Sequence, residues 1–458
     1  MTGLDRSDPR AAALSILQRV EHEGAYSSML LQSLDAGRLH PRDLALITEL
    51  VLGVLRRARY LDHVLAAFSS RPVEAIDPRL RTTLRLGLYQ LLFTRIPDHA
   101  AVDRTVELAR RGRGGGRAAA SFANGVLRAA SRHPGRIPPP PRPAEGEDPA
   151  AALAVAESHP EWLVRRWIAR FGPGEAALLL AAQNRPAPVA ARVTGGAPRL
   201  TAAEASLASE GIRTRRSAWL DDVLVAPSGA LHRTSAFRRG ELYVQDEGSA
   251  LVARLAGASP GDRVLDACAA PGGKSLAMAE RVGEAGLVVS ADLHPSRLRR
   301  LASNARRLRL ACAPLAADLS ADPPFSKETA FDVVLVDAPC SGTGIIRRDP
   351  ELRDRLSQEA LGRLAARQRE LLDRASGLVR RGGVLVYSVC SLEPEEGELL
   401  AAAFLDGHPD FAAADAREAL PSSAHGLTAP TPAGRALMTL PHRDDMDGFF
   451  AIRMSRQR

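Results

Sequence analysis

The chain has 458 residues, 45% hydrophobic and 25% charged, enough for two or three domains that each bury a core. Its 61 Lys plus Arg against 53 Asp plus Glu give +8, and every basic residue except Lys274 and Lys327 is arginine. No run of about 18 apolar residues could span a membrane, the opening MTGLDRSDPR has no apolar secretory segment, and four cysteines without a CxxC pair make neither a disulfide framework nor a zinc site. Aromatics at 4% argue against a binding surface of stacked rings. The expectation is a cytoplasmic monomer without metal, whose basic surplus permits a nucleic-acid partner.

Residues 1–132 read as all helix. Ser7-Asp8-Pro9 is an N-cap with proline in the first turn, followed by Leu14, Leu17 and Val20 on one face. Pro41 opens a second helix with Leu44, Ile47, Val51 and Leu55 in a stripe, and 78–93, 98–110 and 117–131 repeat the pattern, predicting a helical bundle. Residues 1–142 carry 22 Arg against 13 acidic residues, a surplus of +9, so the rest of the chain is nearly neutral. Residues 133–150, HPGRIPPPPRPAEGEDPA, read as an extended linker that does not pack. Residues 151–240 predict a small α+β insert: helix over 155–183, with Trp162 and Trp167 on an arginine-rich surface, then strands at 188–194 and 222–226 around a helix at 200–210.

From 241 to 458 strands and helices alternate. Strands end at Asp266 and Asp292; a helix at 295–308 leads to a third ending near Asp318, and Phe331–Asp337 is a fourth, continuously apolar. A long helix (358–380) then leads through Gly382-Gly383 to a fifth strand, Val384 to Val389. Buried apolar strands separated by helices predict a doubly covered parallel α/β sheet. No internal repeat is visible.

Asp266-Ala267-Cys268-Ala269-Ala270-Pro271-Gly272-Gly273-Lys274-Ser275 joins the first of these strands to a helix, where such sheets bind ligands. A Gly-Gly pair alone is equally a tight βα turn. A Walker A loop needs glycine where Cys268 stands, and Gly-x-Gly-x-x-Gly is absent. An acidic strand end would repel a pyrophosphate but suits S-adenosylmethionine, which brings a sulfonium and an ammonium without phosphate. Asp292 is suited to ribose hydroxyls and Asp318 to an adenine amino group; each alone reads equally as a capping aspartate, but four strand-end aspartates (266, 292, 318 and 337) read as one crevice.

Two cysteines follow neighbouring strand ends: Cys340 in Asp337-Ala338-Pro339-Cys340-Ser341-Gly342-Thr343-Gly344, and Cys390 in Tyr387-Ser388-Val389-Cys390-Ser391. Cys268 and Cys312 read as small packing residues, Cys312 within an apolar strand. Carbon 5 of a pyrimidine is too weak a nucleophile to attack a methyl sulfonium. A thiolate adding to carbon 6 makes the ring an enamine whose carbon 5 attacks. A carboxyl at ring N3, for which Asp337 is a candidate, would stabilise the adduct, and a second thiol could assist release.

DACAAPGGKS, DAPCSGTG and YSVCS, in this order and spacing, resemble the RNA 5-methylcytosine methyltransferases of the Nol1/Nop2/Sun family over residues 155–458. Ser158-His159-Pro160-Glu161-Trp162, Gln245-Asp246, Arg347-Arg348-Asp349-Pro350 and Asp447-Gly448-Phe449-Phe450 extend the likeness. It implies a Rossmann-like S-adenosylmethionine-dependent sheet, with Cys390 as nucleophile, Cys340 serving product release and Asp337 in the base pocket. By the same likeness Cys268, Ala269, Ala270, Pro271, Gly272, Gly273, Lys274, Asp292, Arg297, Asp318 and Asp337, with Asp266, surround the cofactor. Residues 1–132 resemble a NusB-type RNA-binding helical domain, and that fusion implies a cytosine of small-subunit ribosomal RNA as target. Ser275 replaces the commoner threonine, Val389 replaces threonine before the nucleophile, and Asp354 stands where tryptophan is expected.

Two other readings share these residues: a transfer RNA cytosine-5 methyltransferase, and an RNA-binding, ribosome-associated factor whose catalytic half has decayed. The retained pair of strand-end cysteines argues against decay. Six arginines between Arg297 and Arg309 lie on one helix and read first as a solvated face. Arg110, Arg111, Arg113 and Arg117, interleaved with Gly112 and Gly114 to Gly116, are better suited to grip phosphates on a flexible backbone.

Overall fold

The computed structural model describes residues 8–34, 39–112, 115–144, 146–227, 231–321, 324–326 and 330–457. The chain divides into two compact units, residues up to Arg185 with Ile346–Arg355, and Pro186–Ile345 with Leu356–Arg458.

The first unit is helical. Helices α1 (Pro9–Glu23), α2 (Ser27–Leu34), α3 (Pro41–Phe68), α4 (Pro78–Phe93), α5 (Asp98–Arg111) and α6 (Arg117–Arg132) pack around buried Leu17, Ile47, Val54, Leu61, Leu84 and Leu127. Asp8 caps α1 by accepting from Arg10 N at 3.0 Å, and Pro9 fits the first turn because its missing N–H has no helical partner there; Ser7 lies outside the described residues. Helices α7 (Ala150–Ala156), α8 (Glu161–Phe171) and α9 (Pro173–Gln183) belong to this unit too, although the sequence groups them with the insert.

Three expectations change here. Residues 137–144 lack regular structure, as their prolines dictate, yet they pack: Tyr60 Oη donates to Pro138 O at 2.9 Å and Ile137 lies against the helical core. Proline lacks a donor but keeps its carbonyl, so one side chain can anchor an extended run. Trp167 is fully buried, because Leu163, Val164 and Trp167 share the inward face of α8. Finally, Ile346–Arg355 folds with the helices. Its Arg353 is fully buried and donates to Ser158 O at 2.8 Å and Asn184 Oδ1 at 3.1 Å, and Glu351 accepts from Ser27 N at 2.6 Å and Ser27 Oγ at 2.9 Å. Asp354, in place of tryptophan, pairs with Arg59 at 2.7 Å.

The second unit holds two sheets. Strands β1 (Val189–Val193), β2 (Arg215–Arg216), β3 (Val223–Ala226) and β4 (Leu242–Val244) form an antiparallel sheet in the order β2-β3-β1-β4 beside the helix Leu200–Ser209. The pairing of β4 with β1 carries this sheet past residue 240.

The larger sheet contains β5 (Arg263–Asp266), β6 (Leu287–Asp292), β7 (Ala313–Ala316), β8 (Phe331–Asp337), β9 (Val379–Val389), β10 (Phe411–Ala413), β11 (Thr428–Thr431), β12 (Gly434–Thr439) and β13 (Phe449–Arg456). Their order is β11-β12-β13-β9-β8-β5-β6-β7, with β10 on β13; β5 to β9 run parallel and β10 to β13 antiparallel. The apolar run of β8 is explained by two covered faces: Val333 and Leu335 join a core with Leu251 and Met278, Val334 and Val336 one with Leu371 and Phe404. The helix before β9 ends at Ser376, and the strand already begins at Val379, with a register shift between Val379 and Val384, the stretch holding Gly382-Gly383, making an irregularity inside β9. Cys312 precedes β7 instead of lying within it.

This order decides the site. At adjacent carboxyl ends, Cys390 follows β9, Asp337 ends β8, Asp266 ends β5, Asp292 ends β6 and Asp318 follows β7.

Candidate active site

The loop after β5 is stapled to both neighbouring strands, Ala267 N to Leu335 O and Ala269 N to Ala291 O, each at 2.8 Å. Gly272 has φ +109°, and a Cβ there would lie 2.8 Å from the Leu301 side chain, so both backbone and space require glycine. Ser275 keeps the hydroxyl function, donating to Asp266 Oδ2 at 2.6 Å. Burial pushes the Asp266 carboxyl up to about 7; the Ser275 hydrogen bond opposes this and the Asp337 charge adds to it.

Lys274 Nζ donates to Asp337 Oδ2 at 2.6 Å, Ser388 Oγ donates to Asp337 Oδ1 at 2.6 Å, and the Phe449 ring lies 5.3 Å from the ammonium. Burial opposes the charge on Lys274, but the Asp337 carboxylate outweighs it, with Asp266 adding, and holds the ammonium above its ordinary pKa. Both Asp337 oxygens are therefore acceptors already engaged, and the donor at this spot is Lys274.

A cleft of about 520 Å³ opens along the loop, lined by Cys268, Ala269, Ala270, Pro271, Gly273, Lys274, Asp266 and Asp337. Tyr243, Gln245, Asp246 and Ser249, which the sequence reading left unassigned, line it as well. Gln245 Oε1 is buried there, without a hydrogen-bond partner among the described residues. Asp292 and Arg297 do not line this cleft: Asp292 accepts from Ala270 N at 3.2 Å and His294 N at 2.9 Å, and Arg297 donates to Ala270 O at 2.9 Å. Asp318 also lies away from it, exposed and accepting from Ser320 N at 3.0 Å and Ser320 Oγ at 2.6 Å. Burial pushes the Cys268 thiol up, with Asp266, Asp337 and Asp292 adding, which keeps it unreactive.

The two remaining cysteines come together, Cys340 Sγ 3.4 Å from Cys390 Sγ. The parallel register of Asp337 with Ser388 brings these loops side by side, and Gly344 N donates to Cys390 O at 3.0 Å. Closing residues complete the floor. A Cβ on Gly344 would lie 2.0 Å from Gly448 O, so these two backbones meet only as glycines, and Phe450 pairs across from Val389. The Cys340 thiol is pushed well up, first by its hydrogen bond to Cys390 and then by burial.

A family model described as 16S rRNA methyltransferase RsmB/F matches residues 254–455, a NusB family model residues 7–132, and a model of the RsmF/B-like ferredoxin-like domain residues 159–228. A protein named probable ribosomal RNA small subunit methyltransferase B, of Bacillus subtilis (strain 168), is 36% identical over 99% of this chain and 100% of its own length. The chain belongs to the RsmB/F methyltransferase family. The RsmB/F relative of Vibrio cholerae, named ribosomal RNA small subunit methyltransferase B, is 33% identical over 98% of this chain and 97% of its own length. The crystal structure of PH0851 shares the fold, with a TM-score of 0.79 at 24% identity over 98% of this chain and 99% of that one. The helical N-terminal unit and the Rossmann-like methyltransferase sheet thus follow RsmB/F architecture.

Proposed function

We propose that this chain transfers a methyl group from S-adenosylmethionine to carbon 5 of a cytosine in small-subunit (16S) ribosomal RNA, through a covalent bond between Cys390 and carbon 6. The observation that carries this reading is the 3.4 Å approach of two sulfurs beside the Lys274–Asp337 pair. One thiol suffices for most nucleophilic catalysis; a second at contact distance suits a reaction whose adduct must be dismantled. The relatives' names carry the ribosomal substrate.

The cleft chemistry fits the cofactor. Its wall offers Asp246, Asp266 and the unpartnered Gln245 carbonyl, acceptors for a cationic ligand, and no phosphate cradle. Gly272, Gly273 and the backbone from Cys268 to Pro271 would hold the cofactor; beyond the cleft, Asp292 ends β6, Arg297 lies on the helix after it and Asp318 follows β7, where they would meet the cofactor's far end; bound there, it supplies the electrophilic methyl. Cytosine presents an amino donor beside the N3 acceptor, and Asp337 with Lys274 offers the complementary acceptor and donor. As the Cys390 thiolate adds to carbon 6, electron density moves onto the ring, and the Lys274 ammonium stabilises it. After transfer the carbon 5 proton leaves to water, its bonding pair forms the carbon 5–carbon 6 double bond, the carbon 6–sulfur pair returns to Cys390, and the adjacent Cys340 thiol assists by donating to the departing thiolate.

Incubating the protein with methyl-labelled S-adenosylmethionine and 16S ribosomal RNA, then digesting to nucleosides, is expected to give 5-methylcytidine. Label on a ring nitrogen or ribose oxygen would overturn the reading; label confined to transfer RNA would favour that substrate instead.

The arginine turn between α5 and α6 is the proposed phosphate grip. Arg110 and Arg111 both pair with Glu107, and Gly115 N and Gly116 N bond back to Gly112 O at 2.8 Å and Arg110 O at 3.0 Å. The glycines here close a tight turn where flexibility was expected; Arg113 and Gly114 lie outside the described residues. Exposed ion pairs contribute little and can exchange for phosphate. Replacing Arg110, Arg111, Arg113 and Arg117 by Gln is expected to weaken RNA binding and flatten its log–log salt slope by about 0.7 to 0.9 per lost phosphate contact. An unchanged slope in a filter-binding titration removes this loop from the interface.

A further inference from the structure

The two cysteine loops share a buried polar floor that the reaction scheme does not use. Glu396 is completely buried, six residues beyond Cys390. Its Oε1 accepts from Ser341 N at 2.9 Å and Gln368 Nε2 at 2.9 Å, and its Oε2 accepts from the hydroxyls of Ser341 and Ser391. Ser341 directly follows Cys340, and Ser391 directly follows Cys390. The two hydroxyls lie 3.0 Å apart, while Gln368 also donates to Pro339 O at 2.9 Å and Tyr387 Oη donates to Glu396 O at 2.6 Å. One carboxylate therefore holds the residue after each reactive sulfur.

We propose that Glu396 is the positioning residue for both loops, a buried carboxylate whose hydrogen bonds set the separation of the Cys340 and Cys390 sulfurs. A buried carboxylate is costly unless every lone pair is used. Apolar packing would fill this space more cheaply, but only a group with several acceptor sites can bind donors from two loops at once. Its charge also bears on the pair: after the Cys390 hydrogen bond, burial and the Cys390 charge, Glu396 is a further cause raising the Cys340 thiol. The proposal rests on reading these cysteines as the reacting pair.

The test uses the full chain with Glu396→Ala and Glu396→Gln. Diamide, an azo oxidant, takes two electrons and two protons from adjacent thiols, becoming the hydrazine and leaving a disulfide, so its rate reports sulfur spacing without RNA or cofactor. Glu396→Ala is expected to slow Cys340–Cys390 disulfide formation and to lower kcat, each by about tenfold or more, with KM for RNA and S-adenosylmethionine within about twofold, because misplacement by about 1 Å is costly to reaction and cheap to binding. Glu396→Gln keeps a side-chain carbonyl and is expected to return both rates to within about threefold of wild type. Should Glu396→Ala fail to fold, Ser341→Ala with Ser391→Ala carries the test, removing the two hydroxyl links, and the same slowing is expected. Disulfide formation at the wild-type rate in Glu396→Ala, or in the serine pair, overturns the proposal. A Glu396→Gln that folds but rescues neither rate overturns it as well. A wild-type chain that transfers no methyl group would defeat the functional reading while leaving the disulfide rates to decide the positioning role.

Discussion

Cys390→Ser is expected to abolish methyl transfer, lowering the rate by at least about 10³-fold, on the order of 4 kcal/mol of transition-state stabilisation. The change preserves size and leaves the surrounding strand intact: Val389 is fully buried and Ser391 remains tied to Glu396. What is lost is nucleophilicity, since sulfur is far the stronger nucleophile and a serine hydroxyl needs a partner base to attack. Among the described residues no base is hydrogen-bonded to Cys390 to compensate; its sulfur touches the Cys340 thiol at 3.4 Å, which the Cys390 contact and burial push well up. Lys274 and Asp337 remain, so cofactor and RNA binding should persist within a few-fold. The measurement is label transfer to 16S ribosomal RNA together with equilibrium binding of both ligands. Residual transfer within about tenfold of wild type would exclude Cys390 as the nucleophile.

Cys340→Ser is expected to do something different: to leave a protein–RNA species that survives denaturant and carries the methyl label. Cys390 can still attack carbon 6 and carbon 5 can still take the methyl, so one turnover proceeds. Release then lacks the sulfur nearest the carbon 6–sulfur bond, and turnover should fall by about 10² to 10³-fold, a typical loss for a proton-transfer participant. The band should be absent in Cys390→Ser and in the double variant. If Cys390→Ser accumulates the adduct instead, the two roles are reversed. The geometry alone is nearly symmetric, because the two sulfurs touch at 3.4 Å and both cysteines are partly buried; the asymmetry comes from the neighbours. Asp337 ends the strand leading to Cys340, while Lys274 interacts electrostatically with Cys390 and Glu396 with Cys340.

Much of the fold was readable because both periodicities are strong. The helix stripes of α1, α3 and α4 are the buried faces found, and the run 331–337 is a strand buried on both sides. Where the reading departed from the structure, short elements or distant pairing were responsible. β2 and β4 have 2 and 3 residues, too few to show a period, and they exist because β3 and β1 supply their hydrogen bonds. Ile346–Arg355 follows directly on the Cys340 loop in sequence, yet Arg353 is buried among carbonyls some 200 residues earlier in the chain, at Glu157 and Ser158. Nothing in a local window reports such a partner.

The same division holds for the site. Sequence alone determined the chemistry available: four aspartates and two cysteines at strand ends, a loop without a phosphate cradle, and an arginine-rich N-terminal domain, because residue type fixes charge, acidity and nucleophilicity wherever the chain goes. Tertiary structure decided the relations among them. Strand order made β9 and β8 neighbours and so brought two sulfurs fifty residues apart to 3.4 Å. It paired Asp337 with Lys274, and it gathered Ser341, Ser391 and Gln368 around Glu396, a residue unremarked in the sequence. Identity is carried by single residues, but separation and burial are properties of the packed pair, and a linear pattern contains neither.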